Sequence, residues 1–202
     1  MSNFNGVAVE PKIEKLIKRL ETDEVGLGYK FAVGDLSLLE HKAVEPLAEV
    51  LLKNPFKLAR LGAADALGGM DRSTFGVYMD DLKEKSRLKD VLVEALRAGL
   101  SDKEKEVRDK CADGLFTWLN SANPGVREKA IKELVSKYDE LDRNTVINDL
   151  RNADYSGISK GTKKEVLDFL VAVTEDKKLG HLAKDAERKI KESMERKKVA
   201  LK

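Results

Sequence analysis

The feature that most constrains the fold is a pair of helical patterns joined by a tight turn, within residues 45–70. Apolar residues recur every three or four positions on both sides of Asn54-Pro55, which predicts two short amphipathic helices. A lone pair of this kind cannot bury both of its apolar faces. The chain must therefore stack this pair on neighbours of similar construction.

The same construction returns along the chain at regular intervals. Leu27 and Leu58 are equivalent positions 31 residues apart. Arg60 and Arg108 are 48 residues apart, and Val126 and Thr162 are 36 residues apart. A step in the thirties is typical of two-helix repeats, and the longer step indicates an insertion, which we place at residues 71–87. The sequence thus predicts an all-α protein of ten helices in five pairs, with no clear strand.

The pattern also suggests how the chain divides. We expect residues 1–10 to form a flexible N-terminal arm, residues 11–198 to form one stacked helical domain, and residues 199–202 to be a short tail. Residues 152–162 are predicted to be a linker between the fourth and fifth pairs, with Thr162 as the N-cap of the next helix.

Composition excludes some classes of partner and compartment. The 38 basic and 36 acidic residues nearly cancel, so bulk attraction to nucleic acid or to an anionic membrane is not expected. Cys111 is the one cysteine, which rules out an intramolecular disulfide and fits a reducing compartment. The first ten residues do not read as a signal peptide, and no apolar run approaches the roughly 20 residues that span a bilayer. We therefore predict a cytoplasmic protein without membrane association.

The polar composition of the chain bears on the kind of organism from which the protein comes. Lysine and glutamate are abundant and glutamine is absent, which favours a protein from a hot environment, a possible thermophile. AT-rich coding would produce part of the same bias, so both explanations stay open.

The second and third pairs resemble HEAT repeats, with the best match in residues 42–70 and 88–138. The resemblance is carried by short motifs at matching places: Pro46-Leu47, Ala59-Arg60, Ala63-Ala64, Ala66-Leu67-Gly68, Val107-Arg108, Cys111-Ala112 and Gly114-Leu115. It implies a right-handed α-solenoid of about five antiparallel helix pairs, HEAT- or armadillo-like. It also implies an interaction scaffold, although fold alone does not determine function.

The resemblance assigns structural roles to three arginines. In HEAT repeats the arginine after the turn commonly pairs with an aspartate in the turn, forming a ladder along the stack. Arg60, Arg108 and Arg127 are accordingly expected to be structural repeat positions. Asp102 is the expected partner of Arg108, and Asn54 replaces the aspartate before Arg60.

No residue pattern predicts catalysis, a cofactor or a metal. His181 and Asp185 share a helix face, but two ligands are too few for a tight metal site. Cys111 lies on an apolar face and is interpreted as a structural core residue. Residues 157–162 lack the spacing of a phosphate-binding loop. We predict that the protein is not an enzyme.

Two groups of residues are candidates for contacts. Aromatic and apolar residues in loops are candidate protein contacts or else fold back on the stack: Phe56, Phe75, Tyr78 and Met79. Basic residues near the C-terminus are candidate phosphate or RNA contacts or else a solvated helix end: Arg188, Lys191, Arg196, Lys197 and Lys198.

Three functions follow, in order of preference. The first is a non-enzymatic adaptor that binds another protein through its curved helical surface. The alternative is an RNA- or ribosome-associated protein that uses the basic C-terminal helix. The third is an enzyme of the HEAT-like lyase or glycosylase type, which would need an acid or base cluster on the concave face.

Overall fold

A computed structural model describes residues 3–4, 7–8, 10–22, 24–73, 75–77, 79–176 and 178–199. The helices are α1 (Pro11–Leu20), α2 (Leu27–Leu38), α3 (His41–Lys53), α4 (Lys57–Gly68), α5 (Leu82–Gly99), α6 (Lys105–Trp118), α7 (Pro124–Ser136), α8 (Arg143–Asn152), α9 (Lys160–Val173) and α10 (Gly180–Val199). A short 3-10 turn, Leu119–Ser121, follows α6.

The helices form two parallel rows. The first helices of the pairs contact one another in series from α1 to α9, and the second helices do so from α2 to α10. Each substantial helix contact lies within a pair or between neighbouring pairs. This is the packing of an α-solenoid, so the predicted all-α fold class is confirmed.

Turn chemistry places the helix ends. The side chains of Asp81, Asn123, Asp142 and Ser159 cap α5, α7, α8 and α9 by accepting backbone N–H bonds from the first helical turn. The N-cap of α9 is therefore Ser159, and the prediction of Thr162 was wrong because the helix begins at Lys160, three residues before the start that a cap at Thr162 implies.

The predicted insertion is shorter than expected. Residues 82–87 belong to the first turns of α5, since Asp81 caps the helix there. The remaining described residues between α4 and α5 form turns, in which Gly76 has a positive φ of 63°. The start of α5 was not predicted from the sequence because the first turns of this helix are mostly charged and carry no apolar stripe.

The N-terminal segment contains a minimal strand pairing. Strands β1 (Asn3–Phe4) and β2 (Val7–Ala8) pair antiparallel, which the helical pattern did not predict. Much of the arm proposed for residues 1–10 lies outside the described residues, and so does most of the tail proposed for 199–202. Both assignments stay predictions.

Close approach at glycines sets the spacing of the helices around α6. A Cβ on Gly68 of α4 would lie 2.8 Å from the Cα of Gly114 on α6. A Cβ on Gly99 of α5 would meet the sulfur of Cys111. The glycines in the Leu-Gly and Gly-Leu motifs are therefore required for packing rather than for flexibility.

We expect Gly68→Ala to lower the free energy of unfolding. Overpacking against a backbone atom destabilises the fold by about 1–3 kcal/mol. The higher helix propensity of alanine stabilises it by at most about 1 kcal/mol. Urea denaturation followed by circular dichroism measures the difference. Gly161→Ala in the first turn of α9 is the control, because a Cβ there meets nothing closer than 3.9 Å. Equal stability of the two variants would contradict the packing role of Gly68.

Candidate interaction surfaces

A buried ion pair joins the second and third helix pairs. Arg60 Nε donates to Asp102 Oδ2 at 2.6 Å, and Nη2 donates to Oδ1 at 3.1 Å. The side chains are only 6% and 9% exposed. Burial alone would raise the pKa of Asp102, but the bonds from Arg60 and from the Glu104 N–H hold that pKa below its usual value.

The arginine ladder runs differently from the expected pattern. Arg108 donates to the carbonyl oxygens of Asp102 and Lys103, so the predicted pairing of the Asp102 carboxylate with Arg108 was wrong. Arg60 of the preceding helix pair binds the Asp102 carboxylate instead. Arg127 lies in a first helix, α7, at the opposite edge of the stack, and binds Asp154 and the Ser156 carbonyl. All three arginines hold turns in place.

We expect Arg60→Met to destabilise the fold strongly. Asp102 would remain buried without its partner, which costs about 3–5 kcal/mol. The matched control is Arg87→Met, whose ion pairs with Glu84 and Glu45 are half-exposed and worth about 1 kcal/mol or less. The measurement is the urea midpoint of each variant at neutral pH. A loss for Arg60→Met no larger than that of the control would contradict a structural role for the buried pair.

The loop residues proposed as protein contacts differ in how exposed they are to solvent. Phe75 is 1% exposed and packs edge-on against Trp118 with ring centroids 4.9 Å apart. It is therefore unavailable as a surface contact, because the turn folds back on the stack. Met79 is half-buried against the same core. Phe56 is exposed, and Tyr78 lies outside the described residues.

The basic C-terminal residues are engaged where the structure describes them. Arg188 binds Asp185 and Glu192, and Lys191 binds Glu187. These pairs offset the positive charge on the described part of α10. The side chains of Arg196, Lys197 and Lys198 lie outside the described residues, so their proposed role stays a prediction.

The loop before α9 does bind an anion, but one supplied by the chain itself. The hydroxyls of Ser159 and Thr162 and the Ser159 N–H donate to the carboxylate of Glu128 on α7. These bonds lower the pKa of Glu128 to about 2. The resemblance of residues 157–162 to a phosphate loop thus reflects an internal contact between two helix pairs.

The two weaker chemical candidates are also explained by packing. Asp185 accepts from Arg151 and Arg188, which lowers its pKa to about 2, so both of its carboxylate oxygens are engaged by arginines. Burial, then the nearby Asp102 charge, raises the pKa of the Cys111 thiol, which lies in the core. Among the described residues, no group of three potential ligands could hold a metal ion.

A row of partly or fully exposed side chains, most of them polar, lies on the second helices, and we call it the second-helix face. It consists of Leu61 and Asp65 on α4, of Lys110, Asp113 and Phe116 on α6, and of Asn144, Asn148 and Asn152 on α8. Lys110 links α4 to α6 through Asp65 at 3.4 Å. Phe116, on the middle of these three helices, is 50% exposed.

The asparagines of this face were missed from the sequence. Asn144, Asn148 and Asn152 stand at successive i, i+4 positions on α8, where asparagine is a poor helix former. Asn148 Nδ2 approaches Asn144 Oδ1 at 3.4 Å, and Asn152 Nδ2 donates to the Asn148 carbonyl. The signal was the repetition of an unfavourable residue on one face of a short helix.

A buried carboxyl lies beneath the same face. Asp149 on α8 is 1% exposed, and neither of its oxygens has a hydrogen-bond partner among the described residues. Burial, with a smaller effect of the Asp113 charge, raises the pKa of Asp149 from 3.8 to about 8. The folded protein therefore favours the protonated form of this group.

The raised pKa of Asp149 predicts a pH dependence of stability. The stability that protonated Asp149 contributes is fully present below about pH 4 and is lost as pH rises towards pH 8. In this range the folded protein must keep a proton that the unfolded chain releases. We expect the stability of Asp149→Asn relative to wild type to increase with pH across this window. The slope should be about 1.4 kcal/mol per pH unit.

Urea denaturation from pH 4 to pH 8 measures this slope. Asp80→Asn, at an exposed position between α4 and α5, is the control and should show no such trend. A constant difference between wild type and Asp149→Asn across the range would refute the assignment.

The first pair leaves an apolar face uncovered. Leu27, Phe31 and Leu38 on α2 are 75%, 65% and 81% exposed. Alongside them runs a groove of about 590 Å³, bordered by α2 from Lys30 to Leu38 and by Gly69 and Asp71 after α4. Exposed apolar side chains at this density on one helix are unusual for a surface that faces water alone.

No protein-family model and no curated protein matches the chain. A crystal structure of an engineered protein, a structural-genomics target, is 15% identical, with a TM-score of 0.43 over 91% of this chain and 98% of that one. A designed armadillo repeat protein is 12% identical, with a TM-score of 0.37 over 88% and 99%. At these scores, the solenoid assignment depends on the helix contacts described above.

In the described part of the chain, no helix is long and apolar enough to cross a bilayer.

Proposed function

We propose that this protein is a non-enzymatic scaffold, a HEAT-like adaptor that binds a segment of another protein on its second-helix face. The observations that carry the proposal are the asparagine row of α8 and the half-exposed Phe116 on α6, the second helix that contacts α8. The HEAT assignment itself is part of the proposal and is supported by the motifs that close the contact between α4 and α6.

The chemistry of the face suits a peptide segment. Each asparagine amide offers both a donor and an acceptor, which matches the exposed N–H and C=O groups of an extended chain. Asparagine also provides adaptable hydrogen bonds in known binding loops. Phe116 supplies an apolar anchor, and Asp113 beside it supplies a negative charge.

Rigid support lies directly below this face. Asp113 and Phe116 are on α6, which is held against α4 by the Gly68–Gly114 approach. The start of α6 is fixed by Arg108 through two carbonyl bonds. A rigid platform reduces the entropy that is lost when a partner binds.

The two other functions receive less support. Arg188 and Lys191 are already neutralised by acidic neighbours, so an RNA-binding role would depend on residues beyond them. Asp149 has a shifted pKa, but it is closed to solvent, so we propose no catalytic role for it.

The proposal is tested by affinity capture from extract, with and without nuclease, followed by mass spectrometry. We expect a protein partner in near-stoichiometric amount, resistant to nuclease. The double variant Phe116→Lys with Asn148→Ala should reduce its recovery at least about tenfold, because it removes the anchor and one amide.

The matched control is Val171→Lys, which changes an exposed apolar residue on α9 in the other row of helices. It should retain the partner. Recovery of no stoichiometric protein, or equal loss in both variants, would argue against the second-helix face. A partner lost on nuclease treatment would favour the RNA-associated alternative.

A further inference from the structure

The exposed face of α2 has the sequence spacing of a two-helix seam. Leu27, Phe31, Gly34 and Leu38 are separated by four, three and four residues, the alternation of a coiled-coil core. All four are exposed in the structure. The opposite side of α2, with Tyr29, Ala32 and Leu36, is buried against the rest of the stack. The helix is thus apolar on two sides and is packed on one.

Gly34 distinguishes this face from an ordinary solvent-exposed surface. A Cβ on Gly34, or on Gly28 of the same helix, would meet no atom within 4 Å, in contrast to Gly62, Gly68, Gly99 and Gly114, where neighbouring atoms leave little room. A glycine inside a helix costs stability relative to alanine. Nothing within the described part of the chain accounts for that cost at Gly34, whereas close approach of another helix would.

The charged residues beside the seam indicate which helix packs on it and whether that helix runs parallel or antiparallel to α2. Lys30 precedes Phe31 on one flank, and Asp35 follows Gly34 on the other flank. Neither residue forms an ion pair in the described part of the chain. In two parallel helices related by a twofold axis, a residue at this first flank faces the residue five positions later in the other helix. Lys30 of each copy would then face Asp35 of the other.

We propose that α2 is a self-association surface, on which a second copy of this chain packs with its α2 parallel and in register. In this register each Phe31 packs against Phe31 of the other copy, and the two facing Gly34 residues leave room for the rings, between the layers of Leu27 and Leu38. Two Lys30–Asp35 pairs flank this seam. An antiparallel arrangement would place each Lys30 on the same flank as the other Lys30, so the charges favour the parallel one. The inference is independent of the proposed partner on the second-helix face.

The expected affinity is modest. A seam of one short helix from each copy is smaller than the roughly 1,600 Å² of a standard stable interface. We therefore expect a reversible dimer whose population depends on concentration. Sedimentation equilibrium over about 1 µM to about 1 mM covers the range for such an interface.

Three sets of variants test the seam. Phe31→Lys should raise the dimer dissociation constant at least about 100-fold, because it places two charges in the core of the seam. Lys30→Asp should raise it about tenfold, and the charge exchange Lys30→Asp with Asp35→Lys should restore it. Phe116→Lys is the matched control, since it removes an exposed aromatic from the second-helix face and should leave the dimer unchanged.

Direction is tested by oxidative cross-linking. Leu38→Cys should form a disulfide with itself across the parallel seam, whereas in an antiparallel pair it would meet position 27. Monomer at every concentration would overturn the proposal, and so would a dimer insensitive to Phe31→Lys. A dimer that fails to cross-link through Leu38→Cys would overturn the parallel register. A monomer that dimerises only after removal of residues 1–9 would assign the face to that segment instead.

Discussion

The structure depends on one constraint, which is that a short helix pair has two apolar sides and cannot cover both. Helix α4 shows the consequence most clearly, because small residues on nearly every side allow α3, α6 and α2 to approach it. Gly68 and Gly114 bring α4 and α6 into backbone contact. Since burial is shared between neighbours, no pair has an independent core, and the stability of the chain belongs to the stack.

Polar contacts then fix the order in which pairs stack. Arg60 reaches forward to Asp102 of the next pair, and Glu128 reaches forward to the cap of α9. Each contact uses a turn that is already shaped by its own side-chain bonds, such as Asp102 with the Glu104 N–H. One carboxylate therefore shapes a turn within a pair and fastens that pair to its neighbour. This double use explains why the expected pairing within one repeat, Asp102 with Arg108, was replaced by a pairing between repeats.

The number of helices and their pairing could be predicted because both depend on the local spacing of apolar residues. The start of α5 could not, because residues 82–87 form helix with charged side chains and depend on a cap at Asp81. The burial of Phe75 depends on Trp118, which lies far away in sequence. The second-helix face was missed for the same reason, since α6, which carries Phe116, and α8, which carries the asparagines, become neighbours only through the stack. Local pattern predicts elements, whereas surfaces arise from contacts between distant elements.

The two ends of the stack differ in a way that limits how copies can associate. At one end, the described outer side chains of α10 are charged and largely paired, including Arg188 with Asp185 and Glu192. At the other end, α2 presents Leu27, Phe31 and Leu38. If both ends were apolar, copies could stack head to tail without limit, as open heterologous contacts do. With one charged end and one apolar end, association of copies through an apolar end pairs that end with the apolar end of the other copy. Such a contact uses the same residues on both copies and therefore closes at two.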